Sequence, residues 1–299
     1  MTLAPRAVVV HRHTELDELL ARHGTRPQAA FFLSSRRRSL EEAEARHARQ
    51  QAALATVSAA IPIEWRRGQV ERADLDRFLY ARDDVIIVIG QDGLVANVAK
   101  YLDGQPVIGI NPEPERNPGV LVPHPAEAAP ALLAGVASPS LGEHVQVRTM
   151  VEASTDDGQT LLALNEVFIG HSSHQSARYR LELPEGGNER QSSSGLLVST
   201  GTGATGWCRS VWQERHSAIR LPEPEDDDLV WFVREAWPSP ATGTDCTEGV
   251  LRVGEELSLV AESDRLVLFG DGIETDAVPV TWGQRVTVSR ASSHLHLVV

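Results

Sequence analysis

The first third of the chain predicts a parallel sheet whose strands are covered on both faces. Apolar runs occur at Ala7–Val10, Ala29–Leu33, Val85–Ile89 and Pro106–Ile110. Such runs are typical of strands that lie between layers of helices. Between them, Ser39–Ala60 is rich in alanine, glutamate, arginine and glutamine, and this composition predicts a long helix.

Weaker signals complete this region. Ile61–Trp65 predicts a short strand, and the spacing of Leu75, Phe78 and Leu79 predicts a helical turn. The strand at 85–89 is followed by a glycine-containing turn, a helical stretch from Leu94 to Leu102 and a further strand. This order predicts one βαβ unit.

The pattern changes after about residue 120. A proline-rich stretch is followed by segments in which apolar and polar residues alternate, as in Val145–Val151 and Ala177–Leu183. Leu257–Ala261 and Leu266–Phe269, joined at Ser263 and Asp264, predict a hairpin. Alternation with period two predicts antiparallel sheets with one buried face. The fold class expected is therefore an α/β domain with a parallel sheet, followed by a β-rich, sandwich-like domain.

Composition limits the partners of this fold. The 299 residues are 41% hydrophobic and 23% charged, and the formal net charge is 28 − 41 = −13. This charge disfavours nucleic acids and anionic membranes as partners. No apolar stretch approaches the roughly 20 residues of a membrane span, and no secretory segment is recognisable. Cys208 and Cys246 are expected to be reduced thiols, so we expect a cytoplasmic protein.

A first candidate site is Gly90-Gln91-Asp92-Gly93, directly after a buried strand. Ligands of open α/β sheets lie at the carboxyl ends of the strands, and glycine and helix-start N–H groups favour phosphate. The carboxylate of Asp92 would repel a bare phosphate, so it suits a hydroxyl proton or a magnesium ion. A structural turn capped by aspartate is an equally good interpretation.

A second candidate is Asn165-Glu166 within the apolar segment 164–170. Burial of an amide and a carboxylate costs free energy unless both have partners, and the hydroxyls of a ribose are suitable ones. An exposed strand end is the alternative.

Two further segments are rich in glycine, and the first of them also carries several hydroxyl groups. An apolar strand after Ser194 leads into Thr200–Gly206, and a helix is expected from about Gly206, through Trp207, to Gln213. Backbone N–H groups, hydroxyls and an aromatic ring suit a nucleotide. Asp271 lies in the segment Phe269–Gly272, which on its own predicts only a turn.

Other catalytic motifs are absent from the sequence. No metal-ligand spacing among the eleven histidines, no nucleophile elbow and no P-loop occurs. No metal ion held by the protein alone is therefore expected.

Taken in this order, the four segments resemble the NAD kinase family, most closely the mitochondrial-type enzymes and their bacterial relatives. The resemblance extends over roughly residues 80–275 and also includes Asn111 and Pro114-Glu115-Arg116. It implies an α/β domain at 1–120 and a β-rich dinucleotide-binding domain at 121–275. The tail 276–299 either completes the first domain or lies outside both. A homodimer is expected from the family and from exposed sheet edges.

The resemblance implies transfer of a phosphoryl group from ATP or polyphosphate, with Mg²⁺, to the 2′-hydroxyl of the adenosine ribose of NAD or NADH. It implies that Asp92 is the catalytic residue. It also implies that ligands are bound by Gly90, Gln91, Gly93, Asn165, Glu166, Ser194, Thr202, Thr205, Gly206, Trp207 and Asp271. These residues are expected to converge in one crevice between the two domains.

The sequence departs from the family pattern at two positions that matter for phosphate. Gln91 replaces the second glycine of the turn, and Leu94 replaces a threonine. An impaired protein that still binds NAD(P) is therefore an alternative. A relative of the lipid kinases, which share a Gly-Asp-Gly turn, is a third interpretation that the acidic charge disfavours.

Overall fold

A computed structural model describes residues 4–137 and 144–299, and the chain forms two compact units. Unit 1 comprises the chain up to Gln146 together with His296–Val299, and unit 2 comprises Val147–Leu295. The functional domains 1–120 and 121–275 stay a prediction. Among the described residues, no helix is long and apolar enough to cross a membrane.

Unit 1 is an α/β unit built on a parallel sheet. Its strands are β1 (Arg6–His11), β2 (Arg66–Glu71), β3 (Asp84–Ile89) and β4 (Pro106–Ile110), in the spatial order β2-β1-β3-β4. Its helices are α1 (Glu15–His23), α2 (Arg26–Ser34), α3 (Leu40–Ala60), α4 (Asp92–Ala99) and α5 (Ala129–Val136). All six residues of β3 are buried, as the apolar run predicts.

Unit 2 is a sandwich of two antiparallel sheets. The strands are β5 (Val145–Thr155), β6 (Thr160–Ala163), β7 (Glu166–His171), β8 (Ala177–Glu182), β9 (Asn188–Ser193), β10 (Gly195–Ser199), β11 (Leu229–Arg234), β12 (Glu248–Leu251), β13 (Leu257–Ala261), β14 (Leu266–Gly270), β15 (Ile273–Val280) and β16 (Arg285–Val298). One sheet has the order β12-β11-β10-β7-β14-β15, and the other contains β5, β6, β16, β13, β8 and β9. Alternate residues of both sheets form one apolar core.

Two features extend beyond this sandwich core. Helix α6 (Trp207–Arg215) packs through Cys208 and Val211 against the other face of the sheet that contains β10. Strand β16 pairs with β13 at Val286–Val288, and its end at His296–Val298 pairs in parallel with β4 in unit 1. The expected fold class, a parallel α/β part followed by an antiparallel β-rich part, is confirmed.

Three local predictions are wrong. Ala29–Leu33 lies in helix α2, which Thr25 caps, and Ala29 and Leu33 are buried while Phe31 is 77% exposed. That pattern is the i, i+4 face of a helix rather than a strand. No strand forms at Ile61–Trp65, and β2 begins only at Arg66. The sequence gives no signal for β2, because its residues are largely exposed and form no apolar run.

The hairpin expected from β13 and β14 does not form. Strand β13 pairs with β8 and β16, whereas β14 pairs with β7 and β15 in the opposite sheet. Both strands still turn alternate apolar residues into the shared core. The alternation is the same for a hairpin and for a connection between two layers, so the pattern could not distinguish them.

Candidate nucleotide site

The first group of candidate residues lies in unit 1, where β3 ends and α4 begins. The N–H of Gly90 donates to the carbonyl of Ile110, and Gln91 precedes the helix with φ −104° and ψ 164°. Any residue adopts this extended conformation, so the glutamine is accommodated without backbone strain. Gly90 and Gln91 line a cavity of about 210 Å³ together with Arg12, Arg46 and Glu113.

The carboxylate of Asp92 is bound by the backbone of a neighbouring turn. The N–H groups of Leu121 and Val122 donate to Oδ1 at 2.7 and 3.1 Å, and that of Val120 donates to Oδ2 at 3.0 Å. The turn itself requires Gly119, whose φ is +72°. Asp92 therefore fixes the position of this turn as well as its own.

Leu94 takes a structural place beside the turn. Its side chain is 3% exposed, and a Cβ built at Gly90 would lie 3.2 Å from its Cδ2 atom. Residue 94, where the family pattern has a hydroxyl group, is therefore an apolar side chain packed against the turn.

The second group lies in unit 2 and is organised by Asp271. This residue follows β14 in the turn to β15, with φ +55°. Its carboxylate accepts hydrogen bonds from the N–H of Leu164 at 2.9 Å and of Asn165 at 2.7 Å, while its own N–H donates to the carbonyl of Glu166. We call this arrangement the Asp271 clasp. It joins two segments more than 100 residues apart.

The glycine-rich loop is tied to the same place. The Thr200 hydroxyl donates to the carbonyl of Leu164 at 2.6 Å, and the Thr200 N–H donates to that of Asn165 at 2.9 Å. Only glycine fits at 203, since a Cβ there would lie 2.2 Å from the Asn165 carbonyl oxygen. The Asn-Glu pair, the loop and Asp271 thus come together within unit 2.

The hydroxyls of this loop differ in their surroundings. Thr205 donates to the carbonyl of Thr202 at 2.9 Å. The hydroxyl of Thr202 is buried and has no hydrogen-bond partner among the described residues. A buried hydroxyl without a partner is unusual, and it suits a loop that a polar ligand approaches.

Trp207 begins helix α6 directly after Gly206. Its ring lies 5.4 Å from that of Phe168, between centroids, and the guanidinium of Arg234 lies 5.4 Å from its centroid. Ser194 is exposed at the opposite end of β10 from Thr200, and its N–H donates to the carbonyl of Arg234. Arg234 and Thr200 are not predicted as site residues by the sequence, because their contacts depend on partners distant in the chain.

Glu166 differs from the two aspartates in its surroundings. Its carboxyl group has no hydrogen-bond or ion-pair partner among the described residues, whereas both oxygens of Asp271 accept backbone N–H groups. Burial, and secondarily the nearby charge of Asp271, raises the pKa of Glu166 to about 8. At neutral pH this carboxyl is therefore largely protonated and available to a hydroxyl group.

This environment makes the stability of unit 2 depend on pH. The pKa of Glu166 is raised on folding from an ordinary 4.5 to about 8, so the folded state holds a proton that the unfolded state releases. The contribution of the protonated form is complete below about pH 4.5 and is lost as the pH rises through about 8. Relative to Glu166→Gln, the wild type should lose roughly 2–4 kcal/mol of unfolding free energy across this range.

Urea unfolding of both proteins at pH 5, 6.5 and 8.5 measures this difference. A constant difference between wild type and Glu166→Gln across that range would contradict the prediction.

No protein metal centre is formed by the described part of the chain. It contains no group of three or more histidine, cysteine, aspartate or glutamate side chains that could hold an ion. Asp92 also directs both oxygens to backbone donors.

Known NAD kinases are similar to this chain in part of its sequence and in its fold. No family model matches the chain. The chain is 33% identical over 185 residues to the mitochondrial NAD kinase 2 of Rattus norvegicus and 33% identical over 191 residues to that of Homo sapiens. Each match covers 48% of this chain, and 44% and 42% of the relatives, respectively. The matches thus span less than half the length of these relatives.

Solved structures extend the likeness to the whole fold. An NAD kinase from Archaeoglobus fulgidus in complex with ATP aligns with a TM-score of 0.60 and 17% identity, covering 98% of this chain and 93% of that chain. A yeast NADH kinase complexed with NADH aligns with a TM-score of 0.61 and 13% identity, covering 100% and 84%. The solved structures thus share the fold of this chain, and the curated relatives that match part of its sequence are NAD kinases.

Within the NAD kinase fold, the two groups of candidate residues occupy separate units. Gly90, Gln91, Asp92 and Gly93 belong to unit 1, and all the others belong to unit 2. Their convergence in one crevice stays a prediction.

Proposed function

We propose that this chain is an NAD kinase, which transfers the terminal phosphoryl group of ATP or polyphosphate to the 2′-hydroxyl of the adenosine ribose of NAD or NADH. The observation that carries the proposal is that the segment of the Asn-Glu pair is bound both by Asp271, through the clasp, and by Thr200 of the glycine-rich loop. The resulting group offers amide, carboxyl and hydroxyl partners beside an aromatic ring. The identity to NAD kinase 2 and the likeness to structures with ATP and NADH give further support.

In this proposal the unit 2 residues bind the dinucleotide. Asn165 and Glu166 contact the adenosine, and the largely protonated carboxyl of Glu166 hydrogen-bonds its hydroxyls. Thr202, Thr205 and Gly206 present the loop, and Trp207 provides a stacking surface. Ser194 contacts the other end of the substrate, and Asp271 holds the adenosine end through its clasp.

The unit 1 residues act on the phosphoryl group. Gly90, Gln91 and Gly93 flank the phosphates at the start of α4, where N–H groups favour anions. Asp92 orients or deprotonates the acceptor hydroxyl, since phosphoryl transfer depends mainly on positioning and electrostatics. Because the protein has no fitting metal site among its described residues, we propose that Mg²⁺ enters held by the phosphates of the donor.

The purified chain, given Mg²⁺, ATP and NAD, should form NADP. The product can be measured with an NADP-specific dehydrogenase, and polyphosphate and NADH are tested as the alternative donor and acceptor. Absence of product from every donor and acceptor combination would sink the proposal. Glu166→Ala removes the proposed hydrogen-bonding group in unit 2, and it should raise the KM for NAD more than it lowers kcat.

A catalytically impaired NAD(P)-binding protein is the second candidate. It is favoured by Leu94, an apolar side chain where the family pattern has a hydroxyl group, and by Asp92, whose two oxygens are already bound by backbone groups. Calorimetry with NAD and NADP distinguishes the two, because this candidate binds without turnover. A homodimer and a cytoplasmic location complete the proposal and stay predictions.

A further inference from the structure

Helix α2 carries one large apolar side chain that the core of unit 1 does not use. Its buried face is formed by Ala29 and Leu33, which pack with residues of α1 and α3. Phe31 lies outside this contact and is 77% exposed. Because so little of Phe31 is buried, it adds little to the stability of the fold. Its apolar surface is available to a partner.

A groove lies beside Phe31, between the end of α1 and helix α2. Its volume is about 590 Å³, which is within the usual range of ligand-binding clefts. Pro27, Phe31 and Phe32 form its apolar part, and Arg22 and Arg36 are its charged residues. No aspartate or glutamate is among the described residues that line it. We call this feature the α1–α2 groove.

The segment around the groove is basic although the chain is acidic. Residues 21–40 contain no aspartate or glutamate, and they contain five arginines: Arg22, Arg26, Arg36, Arg37 and Arg38. Two of these are paired with glutamates of neighbouring helices, Arg26 with Glu44 and Arg38 with Glu15. The other three form no ion pair among the described residues. Their positive charge is therefore left for an external anion.

Arg36 is oriented in advance for such an anion. Its guanidinium lies 3.8 Å from the centroid of the Phe32 ring, and its Nη1 donates to the Phe32 carbonyl at 3.1 Å and to the Ser35 hydroxyl at 2.9 Å. Its other N–H groups have no hydrogen-bond partner among the described residues. A guanidinium held by stacking loses little freedom on binding, and its planar donors match a carboxylate.

We propose that the α1–α2 groove binds an acidic peptide segment of a partner protein. An apolar side chain of the peptide packs on Phe31, and its carboxylates pair with Arg22 and Arg36. Charge complementarity supports this occupant, because arginine and aromatic groups lie side by side in a groove without carboxylates. The inference goes beyond the proposed function, since none of the candidate nucleotide residues lines the groove.

Other anionic occupants fit these observations less well. An anionic membrane is an extended surface that would also meet the acidic remainder of the chain, whose net charge is −13. A short peptide is affected mainly by charges within a Debye length, roughly 10 Å at 0.1 M salt. Phe31 alone also offers too little apolar surface for a stable membrane anchor. Free phosphate would make no use of Phe31.

Fluorescence anisotropy with a labelled synthetic peptide, in which glutamates flank one phenylalanine, tests the inference. The full chain should bind this peptide with a dissociation constant below about 100 µM in about 50 mM NaCl. Replacement of its glutamates by glutamine should weaken binding at least tenfold, as roughly expected for lost charge pairs. Replacement of its phenylalanine by serine should weaken binding about fivefold or more. Salt should lower the affinity, because it screens the charges.

Variants of the chain locate the binding to the groove. Phe31→Ala and Arg22→Gln should each raise the dissociation constant by about fivefold or more. The matched controls are Leu79→Ala and Arg82→Gln in the same unit, at side chains that are 86% and 92% exposed, and they should leave it unchanged. Circular dichroism and urea unfolding verify that all four variants fold, as expected for exposed positions.

Three results would overturn the inference. The first is no peptide binding up to about 1 mM, and the second is normal binding by Phe31→Ala. The third is displacement of the peptide by inorganic phosphate well beyond the effect of NaCl at equal ionic strength, which would identify a general anion site. Vesicles of phosphatidylglycerol and phosphatidylcholine are tested in parallel. Tighter binding to them than to the peptide, lost in Phe31→Ala, would assign the groove to a membrane instead.

The NADP assay keeps this result separate from the proposed function. Phe31→Ala and Arg22→Gln should form NADP at the wild-type rate, since neither residue belongs to the candidate nucleotide site. A wild type that binds the peptide but forms no NADP would leave the groove standing, and an active protein without peptide binding would remove only the groove.

Discussion

Gly109→Ala should lower the free energy of unfolding by about 3 kcal/mol or more. Gly109 lies in the buried strand β4, and a Cβ built there would lie 2.0 Å from the carbonyl oxygen of Leu121 and 2.7 Å from the Cα of Val122. Both obstacles are backbone atoms, so no side-chain rotation relieves the overlap. Chemical denaturation of wild type and variant measures the loss.

Gly135→Ala is the matched control in the same unit. Gly135 lies in helix α5, and nothing is found within 4 Å of a Cβ built there. Alanine is the better helix former, so this variant should keep the wild-type stability or gain about 0.5 kcal/mol. If Gly109→Ala were as stable as Gly135→Ala, the close approach of the 121–122 backbone to β4 would be wrong.

Asp92→Asn should lower kcat for NADP formation by roughly 10²- to 10⁴-fold, as expected for a group that orients or deprotonates the acceptor. The same change should lower the free energy of unfolding by about 1–3 kcal/mol. Three backbone N–H groups donate to the two carboxylate oxygens of Asp92, and an amide has only one oxygen to accept them. Steady-state kinetics and denaturation are measured on one preparation. The activity is recorded well below the unfolding temperature.

Asp83→Asn is the control for this prediction. Asp83 is half-exposed and pairs with Arg66 on the surface, so its replacement should change stability by less than about 1 kcal/mol and leave kcat unaltered. An Asp92→Asn protein that keeps full activity would remove Asp92 from the chemistry and leave it as an anchor for the 120–122 turn.

The sequence predicted the strands that are buried on both faces. Strands β1, β3 and β4 are buried on both faces, and continuous apolar runs identify such strands directly. The helix at Leu40–Ala60 followed from composition. The edge strand Arg66–Glu71 was not predicted, because it is held by backbone pairing to β1 rather than by burial of its side chains.

The candidate site was predictable as a set of motifs but not as a geometry. Asp92 was identified from its place after a buried strand, yet nothing in the sequence indicates that residues 120–122 supply its partners. Asp271 alone predicted only a turn, and its clasp on residues 164–165 depends on strand pairing across two sheets. Such contacts are set by the tertiary fold, and local sequence patterns carry no information about them.

The Asp271 clasp leaves Asn165 open to change. Asp271 binds residues 164 and 165 through their main-chain N–H groups alone, so any non-proline side chain at 165 keeps both bonds. In the proposed function Asn165 contacts the dinucleotide, so substitutions there test that contact while the scaffold stays intact. Engineering of specificity should therefore begin at position 165, with position 271 left untouched.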